Sequence, residues 1–326
     1  MEMGSNTQAR STPVVSVAIT SYNSEAWIGR AIESALAQQA DFAFEIVIGD
    51  DCSTDGTVEV AESYSARFPE TVRVVDRNVN VGTQRNYYEL FEQCQGKYIA
   101  WLDADDYWTD PEKLALQVKA LEDDPSVMIC GHFVRWVSKA DEVIRKRFPE
   151  IPAGRYGITD ILEKNFLPSP SVVFRNGLHR SLPNWYFDVS PLTDWPLYVV
   201  AALSGDIVLL DRSMADYTLT QSGAFWGKGD LFWYKVNADF YERVESALPS
   251  RFHQQARRHK GKQYEEIAYL LRKDRQFAES RKAAIKAFCS PQMLDNFSSK
   301  VKALLASLVR EAEWRVRGAQ AVSNER

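Results

Sequence analysis

The strongest constraint on the fold is a repeated alternation between short apolar runs and stretches with helical periodicity. The runs Val14–Thr20, Glu45–Asp50, Val72–Val75 and Tyr98–Leu102 have the length and composition of buried strands. Between them, apolar residues recur every three or four positions, as on a helix with one buried face. This order predicts an α/β fold in which a mostly parallel sheet is flanked by helices.

After residue 126 the pattern is less regular. A strand is predicted at Val127–Val137, and a charged, proline-containing stretch then extends from Asp141 to Pro170. The elements predicted next are a strand at Ser171–Arg175, a helix at Asp194–Leu203, a strand at Ile207–Leu210 and helices from Asp230 onward. We therefore expect a mixed sheet with a C-terminal helical extension. The predicted organisation is a disordered lead-in at 1–12, one α/β domain at 13–229 and a helical region at 230–326.

Two acidic clusters follow two of the predicted strands. Asp50 and Asp51 end the second strand, and Asp103, Asp105 and Asp106 follow the fourth. In such sheets, ligands bind in the crevice outside the carboxyl ends of the strands. Adjacent carboxylates repel one another unless a cation is present, and Mg²⁺ prefers oxygen ligands shared with substrate phosphates. The clusters therefore predict a site for a divalent metal and a phosphate-bearing ligand; the alternative is a solvated acidic loop.

Residues at the ends of the first two strands indicate a nucleoside pocket. Asp50 or Asp51 can accept a hydrogen bond from a base N–H, because an ionised carboxylate is a strong acceptor. Thr20 and Tyr22 follow the first strand, and the Tyr22 ring can stack on a base. The alternative for Tyr22 is a ring packed against the end of its strand.

Four motifs share a specific order and spacing. They are Val-Ala-Ile-Thr-Ser-Tyr-Asn at 17–23, Asp-Asp-Cys-Ser-Thr-Asp-Gly-Thr at 50–57, Asn-Val-Gly at 80–82 and Leu-Asp-Ala-Asp-Asp at 102–106. Together they resemble the family 2 glycosyltransferases of the GT-A (Rossmann-like) fold, over the region from Val14 to Tyr217. The resemblance implies transfer of a sugar from a nucleotide-sugar. It assigns nucleotide-sugar binding to Thr20, Tyr22, Asn23, Asp51, Asp103, Ala104 and Asp105, with Asp103 and Asp105 as the DxD signature, and metal binding to Asp105 or Asp106.

The resemblance also requires a general base on a helix start well after the DxD signature. Asp194, in Thr-Asp-Trp-Pro-Leu at 193–197, fits this requirement, and Asp188 is the rival. Asp194 as a helix N-cap is the structural alternative, and one residue can do both. Arg85 is assigned to the diphosphate because guanidinium groups suit phosphate oxygens, with a surface salt bridge as the alternative.

One position departs from the family pattern. Many relatives carry a histidine after a Tyr-Arg pair, where it helps to hold the metal or the diphosphate. In this chain Gln221 stands near that place. Glutamine is a poorer metal ligand, so this departure bears on metal affinity.

Cysteine spacing and charge distribution limit the kinds of site and the partners that we expect. Four widely spaced cysteines without a CxxC pair argue against a disulfide framework and fit a reducing cytoplasm. Residues 251–326 carry a net charge of +9 and the rest of the chain carries −14. The basic helices suggest a solvated face, peripheral contact with an anionic membrane at its inner face, or self-association. Nucleic acid is the least expected partner, and none is predicted, because the acidic body would repel phosphate backbones.

The expected activity is inverting, metal-dependent (Mn²⁺ or Mg²⁺) sugar transfer from a UDP- or dTDP-linked donor to a hydroxyl of a growing or lipid-linked glycan, in the cytoplasm. A non-catalytic nucleotide-sugar-binding scaffold in a glycan assembly complex is the alternative. A nucleotidyltransferase is a third option, but the sequence has no Gly-rich or Lys-bearing triphosphate loop.

Overall fold

The computed structural model describes residues 12–75, 77–189, 191–220 and 227–289, together with 305, 308–311 and 313. The predicted lead-in at 1–12, except Thr12, and Gln221 lie outside these residues. The strands are β1 (Val15–Ser21), β2 (Phe44–Asp50), β3 (Val72–Val75), β4 (Tyr98–Asp103), β5 (Tyr107–Trp108), β6 (Val127–Val137), β7 (Val143–Phe148), β8 (Gly154–Tyr156), β9 (Val173–Arg175) and β10 (Asp206–Thr218).

Helices alternate with the strands in the first half of the chain and dominate its end. They are α1 (Ile28–Leu36), α2 (Thr57–Arg67), α3 (Thr83–Gln93), α4 (Lys113–Asp123), α5 (Ile158–Glu163), α6 (Trp195–Ala202), α7 (Asp230–Val244), α8 (Ser250–Lys273) and α9 (Phe277–Phe288). No helix in the described part of the chain is long and apolar enough to cross a bilayer.

The described strands form one mixed sheet in the order β3-β2-β1-β4-β9-β6-β10-β5. β1 pairs in parallel with β2 and β4, and β2 pairs in parallel with β3. β9 runs antiparallel to both β4 and β6, while β6 and β10 are parallel. The prediction of a mostly parallel, mixed sheet flanked by helices is confirmed.

The core lies at the centre of the sheet. Every residue of β1 is buried, and so are Ile46, Val47 and Ile48 of β2 and all the apolar residues of β4. Central parallel strands are covered on both faces, which explains why these segments are continuous apolar runs without polar alternation.

Two segments differ from the pattern expected from sequence. The stretch Asp141–Pro170, for which no regular element is predicted, contains β7, β8 and α5. Within the described residues β7 pairs with β6 alone, and it is largely exposed, so its charged residues give no apolar signal. β10 continues to Thr218, past the polar residues 211–213 that interrupt the apolar run, and its pairing with β6 shows a register shift between Leu210 and Ser213.

The chain divides into two compact units. One comprises residues 1–182 and 193–221, and the other comprises 183–192 and 222–326. In the second unit, α7, α8 and α9 bury a small apolar cluster that includes Ile267 and Leu271. The predicted domain limits of 13–229 and 230–326 stay a prediction, because compactness does not show which parts fold independently.

A close backbone approach explains one glycine of the core. The N–H of Gly96 donates to Ser16 Oγ at 2.8 Å, and a Cβ at position 96 would lie 2.5 Å from the backbone nitrogen of Ser16. We expect Gly96→Ala to lower the free energy of unfolding by about 3 kcal/mol or more, because the added Cβ would meet backbone atoms, which cannot move aside as a side chain can.

The matched control is Gly29→Ala on α1. A Cβ there meets the Tyr64 ring at ordinary contact distances of 3.5 Å or more. Alanine in a helix is favoured over glycine by about 0.5–1 kcal/mol, so this variant should melt at or above the wild-type temperature. Equal melting temperatures for the two variants would contradict the analysis.

Candidate active site

Asp50 and Asp103 lie at the carboxyl ends of β2 and β4, on either side of β1. Ser21 lies opposite Asp50 on β2, and Thr20 lies opposite Asp103 on β4. Ala104 follows directly and its N–H donates to the carbonyl oxygen of Thr20 at 3.0 Å. The parallel register therefore places residues that are about 30 to 80 positions apart at one edge of the sheet, where α/β proteins bind ligands.

Asp103 is the most heavily hydrogen-bonded carboxylate of this edge. Its Oδ1 accepts from Thr20 Oγ1 at 2.9 Å, from the Tyr87 hydroxyl, and from Trp101 Nε1 at 3.4 Å. Its Oδ2 accepts from Ser169 Oγ at 2.6 Å. Sequence reasoning missed Tyr87 and Ser169, because a tyrosine within a helix and a serine in a turn carry no local signal for such a role.

Asp105 and Asp106 differ in exposure. Asp105 is partly exposed and its Oδ2 accepts from Thr220 Oγ1 at 3.0 Å. Asp106 is buried and its Oδ1 accepts from the N–H of Thr218 at 2.7 Å. Burial, together with the charge of Asp103, raises the pKa of Asp105 to about 6. Burial and the charges of Asp105 and Asp103 raise the pKa of Asp106 well above its ordinary value.

The acidic cluster has the chemistry of a cation site that depends on a ligand. None of the ion pairs in the described residues involves Asp103, Asp105 or Asp106, so no described basic side chain is in direct contact with these carboxylates. Among the same residues, no group of three or more His, Cys, Asp or Glu side chains is arranged to hold a metal alone. Mg²⁺ commonly takes one or two carboxylates and completes its shell with substrate phosphates, so the donor set fits such an ion.

The loop after β2 is anchored by its two aspartates. Asp50 is fully buried and accepts from Ser21 Oγ at 2.9 Å and from Ser53. Asp51 Oδ1 accepts from the N–H of Val81 at 2.8 Å, and its Oδ2 accepts from the N–H of Gly82 at 3.0 Å. Gly82 has a φ of +84°, which suits glycine. Asp51 therefore fixes the turn that begins α3.

Asn23 joins the loop after β1 to the loop after β2. Its N–H donates to Ser53 Oγ at 2.8 Å, and its Oδ1 accepts from the N–H of Thr54 at 2.8 Å. The neighbouring Tyr22 is 51% exposed and is thus not packed against its strand. The two loops form a connected support that leaves an aromatic ring accessible.

Arg85 lies on α3 with its side chain 54% exposed. Its Nη1 is 3.7 Å from Glu89 Oε1, one turn further along the helix. A surface salt bridge is the alternative to diphosphate binding that the sequence allows for Arg85. Exposed pairs of this kind contribute little to stability.

Asp194 is the N-cap of α6 and accepts two hydrogen bonds. Oδ1 accepts from the N–H of Trp195 at 2.6 Å, and Oδ2 accepts from Asn165 Nδ2 at 3.0 Å. Burial raises the pKa of Asp194 to about 6, and the charge of Asp103 acts in the same direction. Burial and the charges of Asp106, Asp103, Asp105 and Asp194 raise the pKa of Tyr217 well above its ordinary value. Asp194 is thus near enough to Asp103 and Tyr217 for its charge to interact with theirs.

Asp188, the rival base, is in a different setting. It ends a short 3₁₀ turn in the second unit, its side chain is 70% exposed, and it lies 3.9 Å from Arg243. This exposed, cation-paired position contrasts with the partly buried N-cap position of Asp194.

The pKa of Asp194 predicts a pH-dependent difference in stability. The folded protein keeps a proton on Asp194 up to about pH 6, whereas the unfolded chain releases it near 3.8. The folded state therefore binds more protons in this interval, and the stabilisation from this group falls as pH rises through it. Asp194→Asn does not titrate at this position. The free energy of unfolding of the wild type, measured relative to this variant, should fall as pH rises from 3.8 to about 6 and stay constant at higher pH.

Melting temperatures of both proteins across this range, in EDTA, measure the effect. In the Asp194→Asn variant the new side-chain amide would face the amide of Asn165, but that cost does not change with pH. A difference that stays constant from about pH 4 to pH 7 would contradict the assignment of the raised pKa to Asp194.

Comparison with known proteins agrees with the fold and the motifs. A family model described as Glycosyl transferase family 2 matches residues 16–182. An uncharacterized protein of Mycobacterium tuberculosis is 36% identical over 204 residues, which are 62% of this chain and 58% of the relative. The putative teichuronic acid biosynthesis glycosyltransferase TuaG of Bacillus subtilis is 37% identical over 107 residues, 33% of this chain and 41% of TuaG. This chain therefore spans less than two thirds of the length of either relative.

Solved structures share the fold at low sequence identity. The crystal structure of S. aureus TarS 1–349 has a TM-score of 0.63 at 18% identity, covering 92% of this chain and 91% of that one. TarS 1–349 has also been solved with UDP-GlcNAc and with UDP. The mannosyltransferase PcManGT from Pyrobaculum calidifontis, in complex with GDP-Man and Mn²⁺, has a TM-score of 0.54 at 16% identity, covering 93% and 88%.

These structural likenesses establish the fold, and the family match covers just over half of the chain. The matched region contains β1 from Ser16 onward, β2 and β4, and Asp50 and Asp103 stand at the ends of β2 and β4. The chain belongs to glycosyl transferase family 2.

Proposed function

We propose that the protein is an inverting glycosyltransferase that moves a sugar from a nucleotide-sugar to a hydroxyl acceptor. The observation that carries this proposal is the group of four carboxylates, Asp103, Asp105, Asp106 and Asp194, which act together on the pKa of Tyr217. Asp105, Asp106 and Asp194 have raised pKa values, and such carboxylates suit a site that must bind a diphosphate and accept a proton. Membership of family 2 and the glycosyltransferase names of relatives support the same activity.

The donor that we propose carries uracil or thymine. Both bases present an N3–H, and the Asp51 carboxylate retains lone pairs beside those used by Val81 and Gly82. The exposed Tyr22 ring is available for stacking. Thr20 and Asn23 then act mainly by holding Asp103 and the adjoining loops. The UDP and UDP-GlcNAc complexes of TarS support a uridine donor.

A divalent ion, Mn²⁺ or Mg²⁺, is part of the proposal. Asp105 is our preferred ligand, because Asp106 is buried and already holds the N–H of Thr218. When bound, the ion would offset the charge that develops on the leaving diphosphate. Arg85 would approach the same phosphates if it left Glu89.

Asp194 is the proposed general base. A pKa of about 6 leaves most of it ionised at neutral pH while keeping it a better proton acceptor than an ordinary aspartate. Asn165 and Trp195 hold its two oxygens and so fix its orientation. Asp194 would take the acceptor's proton as the acceptor oxygen attacks the anomeric carbon opposite the leaving diphosphate. One displacement of this kind inverts the anomeric configuration.

The proposed acceptor is a hydroxyl of a growing or lipid-linked glycan, and the proposed compartment is the cytoplasm. The exposed basic residues of α8, including Arg251 and Lys262, support peripheral contact with the anionic inner face of a membrane. Self-association through the same helices is the alternative that the charge leaves open.

The role of Asp105 can be tested by nucleotide binding. Calorimetry with UDP, dTDP and GDP, in Mn²⁺ and in EDTA, first identifies the diphosphate that binds. Asp105→Asn should then lower Mn²⁺-dependent affinity by about tenfold or more, because the loss of a charge-assisted contact costs about 1.5–3 kcal/mol. Asp106→Asn is the matched variant and should bind nearly as the wild type does. Undiminished affinity in Asp105→Asn and in EDTA would remove the metal from the proposal.

The role of Asp194 can be tested by turnover. Asp194→Asn should keep nucleotide affinity and lose about 10²–10⁴ in the rate of donor consumption, because an amide cannot accept the proton. Asp188→Asn is the control with the same chemical change. Normal turnover in Asp194→Asn with an inactive Asp188→Asn would transfer the role of base to Asp188.

A further inference from the structure

A short turn beside the acidic cluster has a hydroxyl directed at Asp103. The 3₁₀ turn Ser169–Ser171 lies between α5 and β9, and Ser169 is buried. Its Oγ donates to Asp103 Oδ2 at 2.6 Å. Such a short distance is typical of a hydroxyl that donates to an ionised carboxylate.

The two oxygens of Asp103 are held unequally. Oδ1 accepts from Thr20, Tyr87 and Trp101, whereas Ser169 is the donor to Oδ2 within the described residues. Rotation of an aspartate carboxylate about its last torsion is broad, so partners on both oxygens are needed to set its plane. Removing the Ser169 hydroxyl would leave that plane defined from one side.

Side chains of β5 and α4 hold the turn by hydrogen bonds to its backbone. Trp108 Nε1 donates to the carbonyl oxygen of Pro170 at 3.0 Å, and Gln117 Nε2 donates to that of Ser171 at 2.8 Å. Gly131 on β6 leaves room for the chain beside it, since a Cβ there would meet Leu167 Cδ2 at 2.6 Å. Ser169 is thus carried by a rigid support and not by a free loop.

Ser169 and Ser171 use their hydroxyls differently. Ser171 Oγ donates within the turn, to the carbonyl oxygen of Pro168 at 2.7 Å. Ser169 Oγ leaves the turn and reaches a residue on β4. A hydroxyl that served only the turn would make the first kind of contact, so the second points to a role at the acidic cluster.

We propose that Ser169 is a positioning residue that fixes the plane of Asp103 and thereby the geometry with which the cluster receives a metal-bound nucleoside diphosphate. This inference rests on the proposed function. In this way the turn connects α4 and β6, which support it, to Asp103 at the end of β4. Tyr87 performs the corresponding task on Oδ1.

The experiment compares Ser169→Ala with Ser171→Ala, which removes one hydroxyl from the same turn. Calorimetry with the tightest of UDP, dTDP and GDP is run in Mn²⁺ and in EDTA, and melting temperatures are recorded without ligand. Ser169→Ala should weaken binding about tenfold in Mn²⁺ and much less in EDTA, because the plane of Asp103 would be set from one side only, and the loss of such a supporting hydrogen bond at a metal site typically costs about tenfold or more in affinity. Ser171→Ala should lower the melting temperature and leave both affinities within about twofold, since its bond is a neutral one inside the turn.

Two further variants guard against a folding defect. Ser169→Thr keeps the hydroxyl and should retain Mn²⁺-dependent affinity, and Tyr87→Phe should lose it as Ser169→Ala does. Equal affinities in Ser169→Ala and Ser171→Ala, or a loss that is the same in Mn²⁺ and EDTA, would overturn the inference. A wild type that binds no nucleoside diphosphate would instead overturn the proposed function, and this inference with it.

Discussion

The hydrogen bonding of Asp103 is the interaction on which the site depends. Its carboxylate accepts from Thr20 on β1, Tyr87 on α3 and Ser169 in the turn before β9. A partly buried carboxylate is costly without donors, so the elements that supply them are held in one arrangement. The end of β4 therefore joins three separate parts of the fold, and the following residues Asp105 and Asp106 start from a fixed point.

Charge accumulates at this point beyond what stability alone would favour. Asp105 and Asp194 have pKa values of about 6, and the pKa of Asp106 is also raised, in each case chiefly because of burial. The fold bears this cost at the place where we propose that a divalent ion binds. Groups perturbed in this way concentrate at functional sites, because the same burial that destabilises a charge also makes it reactive.

The loops for which we propose nucleoside binding are preorganised by contacts within the protein. Asn23 joins two loops, and Asp51 fixes the turn at Gly82, so both residues are already occupied by backbone groups. Their place in the family motif is thus explained first by loop structure. A rigid pocket loses less entropy when a ligand binds, and this lowers the cost of recognition.

The sequence alone determined the alternation of strands and helices and the position of both acidic clusters at strand ends, because these depend on local periodicity and on spacing along the chain. It also indicated Asp194 at a helix start, which is a local signal. It did not indicate Tyr87 or Ser169, nor that Asp106 turns inward to Thr218 while Asp105 stays partly exposed. Only the tertiary structure decided these points, because each depends on a contact between residues far apart in the chain whose types are common in any helix, turn or strand.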